Sequence, residues 1–142
     1  DKGGFVRSLL GRKCRFDLWE PNLFLSARAL PKEEASIEYG DNIKRAYTYK
    51  ALNRLIQSSA ADQTKAAMAA VYKDKNKIPL VQIHDELAFS VSDLEEAKEL
   101  CRTMEGALQL EVPSPSDISL GPNWGSLTTV DKSDSVPEIK DI

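Results

Sequence analysis

The feature that most narrows the possibilities is a polar tripeptide, His84-Asp85-Glu86. It lies between two apolar, strand-like runs, Ile78-Pro79-Leu80-Val81-Gln82-Ile83 and Leu87-Ala88-Phe89-Ser90-Val91. Two such runs joined by so few residues predict an antiparallel hairpin with the tripeptide at its tip. Three titratable groups are tolerated there only if the tip faces solvent, a metal or a substrate. Adjacent carboxylates repel one another, and a hard cation such as Mg²⁺ relieves that repulsion. Such an ion takes oxygen ligands and keeps several waters, so one or two carboxylates and a substrate phosphate suffice for a site. The plain alternative is a solvated turn in which Asp85 favours the bend. Taken alone, the tripeptide does not decide between the two. Because the chain has one histidine, multi-histidine metal sites are out, and no Ser-His-Asp arrangement is recognisable.

Around this hairpin the periodicity predicts a mixture of helices and strands. Phe5–Leu10 and Cys14–Phe16 read as a hairpin turning at Gly11. Residues 17–40, interrupted by Pro21, Pro31 and Gly40, read as a long connection with a short helix near Pro31–Ser36. Asp41 or Asn42 is placed to cap a helix carrying Ala46, Leu52, Leu55 and Ile56 at helical spacing. Ser59-Ala60-Ala61-Asp62 has the shape of a capping box for a second helix running through Met68 to Tyr72; with no Pro or Gly between them, one long helix is also open. Ser92-Asp93-Leu94-Glu95 starts a third helix with the apolar stripe Leu94, Ala97, Cys101, Met104 and Leu108. Short strands are predicted around Leu110–Val112 and Ile118–Leu120. From Ser126 the chain is polar and reads as a mobile tail. No run approaches the roughly 18 apolar residues of a membrane span, and there is no targeting signal. Cys14 and Cys101 form no metal or redox motif, which favours a reduced cytoplasmic compartment.

Charge is divided along the chain. Residues 1–77 carry 15 Lys and Arg against 9 Asp and Glu, whereas residues 78–142 carry 4 against 13. A basic half and an acidic half suit gripping a polyanion with one region and binding metal with another, although two solvated surfaces would look the same. Within the basic half, Asn53 and Gln57 are four apart and share a helix face with Tyr49 one turn earlier. Their amides carry donors and acceptors together, which suits the minor-groove acceptors of base pairs. Lys44, Arg45, Lys50 and Arg54 can reach phosphates from the same segment, and Arg7, Arg12, Lys13 and Arg15 form a basic patch around the first hairpin.

Four ordered segments resemble the C-terminal part of a family A DNA polymerase, the bacterial DNA polymerase I and phage replicase type. Gly4-Phe5-Val6 through Leu10-Gly11-Arg12-Lys13 is similar to the hairpin that follows the fingers. Asn53 through Asp62 is similar to the "N.P.QGTAAD" helix segment, Val81-Gln82-Ile83-His84-Asp85-Glu86-Leu87 to motif C, and Gly121-Pro122-Asn123-Trp124-Gly125 to the closing "G.NW". The resemblance spans residues 3–125 and implies an α+β fold: the C-terminal part of a polymerase palm, an antiparallel sheet with the motif C hairpin backed by helices. Residues 1–125 form that palm segment, with 1–40 the post-fingers hairpin and connection and 41–125 the helices, motif C hairpin and closing strands; 126–142 are the tail. Ser58 and Leu55 depart from the family's usual Gly and Pro, and Tyr49 stands at a position often basic in the bacterial enzymes. The Arg15–Pro21 and Lys50–Gln57 segments lean toward the phage branch.

The resemblance implies roles residue by residue. Asp85 matches the palm aspartate that binds the catalytic Mg²⁺ ions, with Glu86 its supporting neighbour. His84 matches a residue near the primer terminus. Asn53 and Gln57 match amides on the minor groove of the primer–template end, and Arg12 matches an arginine given a backbone contact. Primer–template DNA and dNTP are the implied partners, together with the N-terminal remainder of the polymerase, in the same gene or a separate chain. Motif A, whose aspartate supplies the second carboxylate to the metal pair, is missing from these 142 residues, as is the fingers helix with its Lys and Tyr. Two-metal phosphoryl transfer needs both carboxylates. The chain is therefore expected to be a fragment, a split-polymerase subunit or a relic, inactive alone. The alternative is a non-catalytic module that grips duplex DNA. A metal-dependent hydrolase built on Asp85 and Glu86 would need further acids, for which Asp62 and Asp117 are distant candidates.

Overall fold

The computed structural model describes residues 4–23 and 27–132. It is α+β; the described residues hold three α-helices and nine short strands in four separate antiparallel sheets, and the chain divides into two compact units, residues 1–62 and 63–142. Among the described residues no helix is long and apolar enough to cross a membrane.

In the first unit, β1 (Phe5–Arg7) and β2 (Lys13–Arg15) form the expected hairpin, in register Phe5↔Arg15, Val6↔Cys14 and Arg7↔Lys13. Gly11 takes φ +81° in its loop, a left-handed value that glycine adopts without a Cβ penalty. The stretch read as a connection holds more order than its composition suggests. Strands β3 (Leu18–Pro21), β4 (Leu30–Pro31) and β5 (Ile43–Arg45) make a three-stranded sheet with β3 in the centre, and α1 (Lys32–Tyr39) packs against it. Phe16, Leu30, Ala35 and Ala46 form the buried apolar set of this unit.

The helix expected from Asp41 or Asn42 begins later, because 43–45 pair with β3 and Tyr47 turns the chain at φ +61° into a 3₁₀ turn, Thr48–Lys50. Thereafter one helix, α2 (Ala51–Lys75), runs unbroken. The Ser59–Asp62 capping box does not start a new helix because its polar groups are engaged elsewhere. Ser59 Oγ donates back to the Leu55 carbonyl at 2.7 Å, and Asp62 accepts from the β1–β2 loop.

In the second unit, β6 (Val81–Ile83) and β7 (Glu86–Ala88) form a two-stranded hairpin. Helix α3 (Leu94–Glu105) is capped reciprocally: Asp93 Oδ1 accepts from Glu96 N at 2.8 Å while Glu96 Oε2 accepts from Ser92 N at 2.6 Å. The box is thus Asp93–Glu96, one residue along from the sequence expectation, and satisfies two otherwise orphaned donors. Leu94, Ala97, Leu100 and Cys101 are its buried stripe; Leu108 lies beyond the helix end at Gly106. Ala97 and Cys101 pack on Ile118 of β8 (Ile118–Leu120), with Val91 and Leu120 beside them. No strand forms around Leu110–Val112, where Pro113 and Pro115 follow and no pairing partner is present among the described residues. Within the span read as a tail, β9 (Thr128–Val130) pairs with β8. Glu105 fastens both ends of this hairpin, accepting from Ser116 N at 2.6 Å and pairing with Lys132. Residues 133–142 of that span lie outside the described residues.

Candidate functional site

Strand register fixes the geometry of the polar tip. Ile83 pairs with Glu86, so the turn is two residues, His84 and Asp85, and Glu86 already belongs to β7. His84 takes φ +53°, a region that costs most non-glycine residues free energy and that histidine visits more readily than most. Gln82 steadies this backbone by donating from Nε2 to the His84 carbonyl at 2.7 Å. The sequence analysis gives Gln82 no role; the signal for it is its place two residues before the histidine in the segment that resembles motif C. His84, Asp85 and Glu86 are all exposed, and neither carboxylate has an ion-pair partner among the described residues. Asp85 in the turn and Glu86 at the start of β7 are adjacent oxygen donors, the ligand type that a hard divalent cation takes. They do not enclose one. Among the described residues no group of three or more His, Cys, Asp or Glu side chains is placed to hold a metal. Within the second unit Asp117 therefore builds no closed centre with them among the described residues.

The hairpin β6–β7 is also poorly covered. Ile78 and Leu80 are 72% and 70% exposed, and Val81 and Ile83 are exposed as well. An isolated two-stranded hairpin is marginal in water.

In the first unit, Asn53 lies one turn before Gln57 on α2, both exposed, on a face that also shows Tyr49, Leu52 and Ile56. Among the described residues no polar side-chain contact occupies either amide. The basic residues divide differently. Arg54 stacks on Phe16, 4.6 Å from the ring centroid, and donates to the Arg15 carbonyl at 3.0 Å. Arg45 lies 4.8 Å over Trp19 and donates to the Phe16 carbonyl at 2.8 Å, its guanidinium filling the space a Cβ on Gly4 would need. Lys44 pairs with Glu20 at 3.8 Å, and Lys50 sits between Tyr47 and Tyr49 at 5.2 and 5.5 Å. Arg45 and Arg54, read from sequence as phosphate contacts, thus secure the fold.

Arg12 joins the hairpin loop to α2. Its Nη2 lies 2.8 Å from Asp62 Oδ1 and donates to the Ser58 carbonyl at 3.0 Å, while Leu10 N donates to Asp62 Oδ2 at 3.1 Å and Leu9 N to Ser59 Oγ at 3.0 Å. The Arg12 side chain stays 47% exposed; that of Asp62 is 6% exposed. A bond from the Ser8 hydroxyl, then the Leu10 N–H and the Arg12 charge, hold the Asp62 carboxyl below the ordinary carboxylate range against the opposing effect of burial. A depressed folded pKa means that the contribution is complete above the unfolded value of about 3.9 and is lost as pH falls through the folded value. Asp62→Asn is therefore expected to lower the urea midpoint at pH 7, with the gap to wild type closing as pH falls below about 4. Urea titrations of both proteins across that range check this; a gap independent of pH would contradict it.

Comparison with known proteins yields one consistent set of relatives. Residues 1–126 match the family described as DNA polymerase family A. The DNA-directed DNA polymerase of Pseudomonas phage M6 is 39% identical over 122 residues, covering 86% of this chain and 15% of the phage protein. DNA polymerase I of Mycobacterium leprae (strain TN) is 33% identical over 133 residues, covering 88% of this chain and 13% of that protein. DNA polymerase I of Treponema pallidum (strain Nichols) is 34% identical over 133 residues, with 87% and 12% covered. The chain thus spans no more than 15% of the length of these curated relatives.

Proposed function

The chain belongs to DNA polymerase family A, and from that premise we propose that it is the C-terminal palm segment of a template-directed DNA polymerase. On this reading it contributes one carboxylate cluster to a two-metal nucleotidyl-transfer site and a minor-groove contact to the primer–template end. The observation that carries the reading is the tip of β6–β7, where Asp85 in the two-residue turn and Glu86 at the start of β7 stand exposed and without an ion-pair partner among the described residues. Asp85 would hold Mg²⁺, with Glu86 in support. The ions, when bound, supply Lewis-acid activation of the primer 3′-hydroxyl and neutralise charge on the dNTP phosphates. The chain's own task is placement. Gln82 and the left-handed His84 backbone fix the direction of the acids, and His84 faces the primer terminus. Asn53 and Gln57 read the shape of the terminal base pair through minor-groove acceptors. Arg12 can turn its exposed donors to a phosphate only in competition with Asp62.

Chemistry at this tip requires a second carboxylate and a nucleotide-binding helix that the 142 residues lack, so the segment works only with the remainder of the polymerase. The exposed apolar groups of β6 and its neighbours, Ile78, Leu80, Val81 and Ile83, support that reading. Gln57→Ala and Asn53→Ala are expected to weaken extension from a correctly paired primer end by about 1–3 kcal/mol each, the range for a lost polar contact. Removing the minor-groove acceptor from the terminal base pair should mimic each substitution, and combining the two should cost little more. Steady-state extension with natural and acceptor-deleted primers measures this, and full additivity would argue against direct contact.

A further inference from the structure

The base of the β6–β7 hairpin is fastened to α3 by a charged relay remote from the acids of its tip. Helix α2 ends where Asn76 takes φ +52° and its N–H bonds to the Tyr72 carbonyl at 2.9 Å, a left-handed cap that asparagine tolerates. Beyond that turn Lys77 reaches the chain leaving β7. Its Nζ donates to the Ser90 carbonyl at 2.7 Å and pairs with the Glu96 carboxylate. Glu96 is itself fixed by accepting from Ser92 N, and α3 is seated on Ile118 through Ala97 and Cys101. The two charged side chains are half-buried. The Lys77 bond, then the Ser92 N–H, hold the Glu96 carboxyl below the ordinary carboxylate range against the opposing effect of burial, so Glu96 is ionised at neutral pH. The entering strand is the one that needs an anchor. Every residue of β6 is exposed, whereas Leu87 and Ala88 of β7 are half-buried. The ladder to β7, extended by the bond from Leu80 N to the Ala88 carbonyl at 2.8 Å, holds β6 along its length, and Lys77 holds its entry. Three residues further along α3, Glu99 pairs with Lys75 at 2.6 Å, a bridge that joins the two helices without the hairpin.

We infer that Lys77 and Glu96 are positioning residues for Asp85, the pair setting the direction in which β6–β7 presents its tip. The inference rests on the reading above that Asp85 holds Mg²⁺, and deepens it by naming what aims the acid from the opposite end of the hairpin. Residues 78–83 span at most about 20 Å. Over that lever a tilt of about 3° at the base moves the tip by about 1 Å. A misplacement of about 1 Å caused far from the chemistry costs on the order of a hundredfold in rate. Partly exposed ion pairs contribute little to stability, so the loss falls on turnover rather than on folding. Serving a carbonyl and a carboxylate at once takes a cation with several donors, which Lys and Arg supply and Met does not.

In the assembled polymerase, Lys77→Met and Glu96→Gln are compared with Lys77→Arg and Lys75→Met. Gln at position 96 still accepts from Ser92 N and keeps the cap, so that variant removes the charge alone. Lys77→Met and Glu96→Gln should each lower kcat by about 10- to 100-fold, with KM for dNTP and primer–template affinity within about twofold of wild type. Lys77→Arg should recover most of the rate, and Lys75→Met should leave it unchanged. The Lys77→Met/Glu96→Gln double variant should cost little more than either single one, because both act through one contact. In the 142-residue chain itself, Lys77→Met should speed amide hydrogen exchange over residues 80–88 and leave the buried turns of α3 as protected as before. Wild-type kcat in both single variants, an equal loss in Lys75→Met, no recovery in Lys77→Arg, or unchanged exchange in the hairpin would each overturn the inference. So would a fall in DNA affinity that matches the fall in kcat. Normal extension by Asp85→Asn overturns the metal-binding reading instead, and the exchange measurement, which involves no metal, keeps the two failures apart.

Discussion

Asp85→Asn in the assembled polymerase is expected to abolish primer extension, a loss of at least about a thousandfold, while primer–template affinity stays within about twofold. A metal-bound carboxylate sustains several kcal/mol of charge stabilisation in the transition state, and each 1.36 kcal/mol is a factor of ten in rate. The isosteric amide keeps the shape of the turn but removes the charge proposed to hold the cation. The DNA contacts proposed for Asn53 and Gln57 do not involve Asp85, so binding should persist. Glu86→Gln should cost less, because Glu86 belongs to β7 rather than to the turn and its matched role is supporting. Single-turnover extension together with fluorescence anisotropy on labelled primer–template separates the two effects. Near wild-type extension by Asp85→Asn would remove Asp85 from the metal site; loss of DNA binding in proportion to activity would mean that the substitution acts through the fold.

Much of the candidate site is legible in the sequence because it is local. A hairpin between two apolar runs and its polar tip depend on residues close together, and the structure pairs Val81–Ile83 with Glu86–Ala88 as that pattern implies. The basic hairpin turning at Gly11 is legible for the same reason. What escapes is set by distant partners. Trp19-Glu20-Pro21 looks like loop because of its proline, yet it is the central strand of a sheet completed by residues 30–31 and 43–45. The polar groups of Ser59 and Asp62 look like a helix start, and they serve instead as acceptors for backbone donors of a loop some fifty residues earlier. Arg45 and Arg54 read as phosphate contacts by charge alone; the aromatic rings they cover, Trp19 and Phe16, are brought to them by the fold. The division of the arginines and lysines into structural and available sets is thus a tertiary property, and no spacing rule contains it.

The second large effect concerns the chain by itself. Two-metal phosphoryl transfer depends on positioning both ions and both substrates, which supplies much of the catalysis. The 142 residues bring the acids of one hairpin and no third ligand among the described residues. The apolar groups at 78, 80, 81 and 83 are exposed. Alone, the chain should bind duplex DNA weakly and in a salt-sensitive way and should incorporate no dNTP with Mg²⁺ present. The most direct measurement is Mg²⁺-dependent primer extension by this chain, by a polypeptide carrying the thumb, fingers and motif A of the same polymerase, and by the two together, each with and without Asp85→Asn. Extension only from the combination, lost again in Asp85→Asn, is the predicted result. Extension by this chain alone, lost in its Asp85→Asn variant, would show that the acids of this one hairpin suffice and would contradict the account.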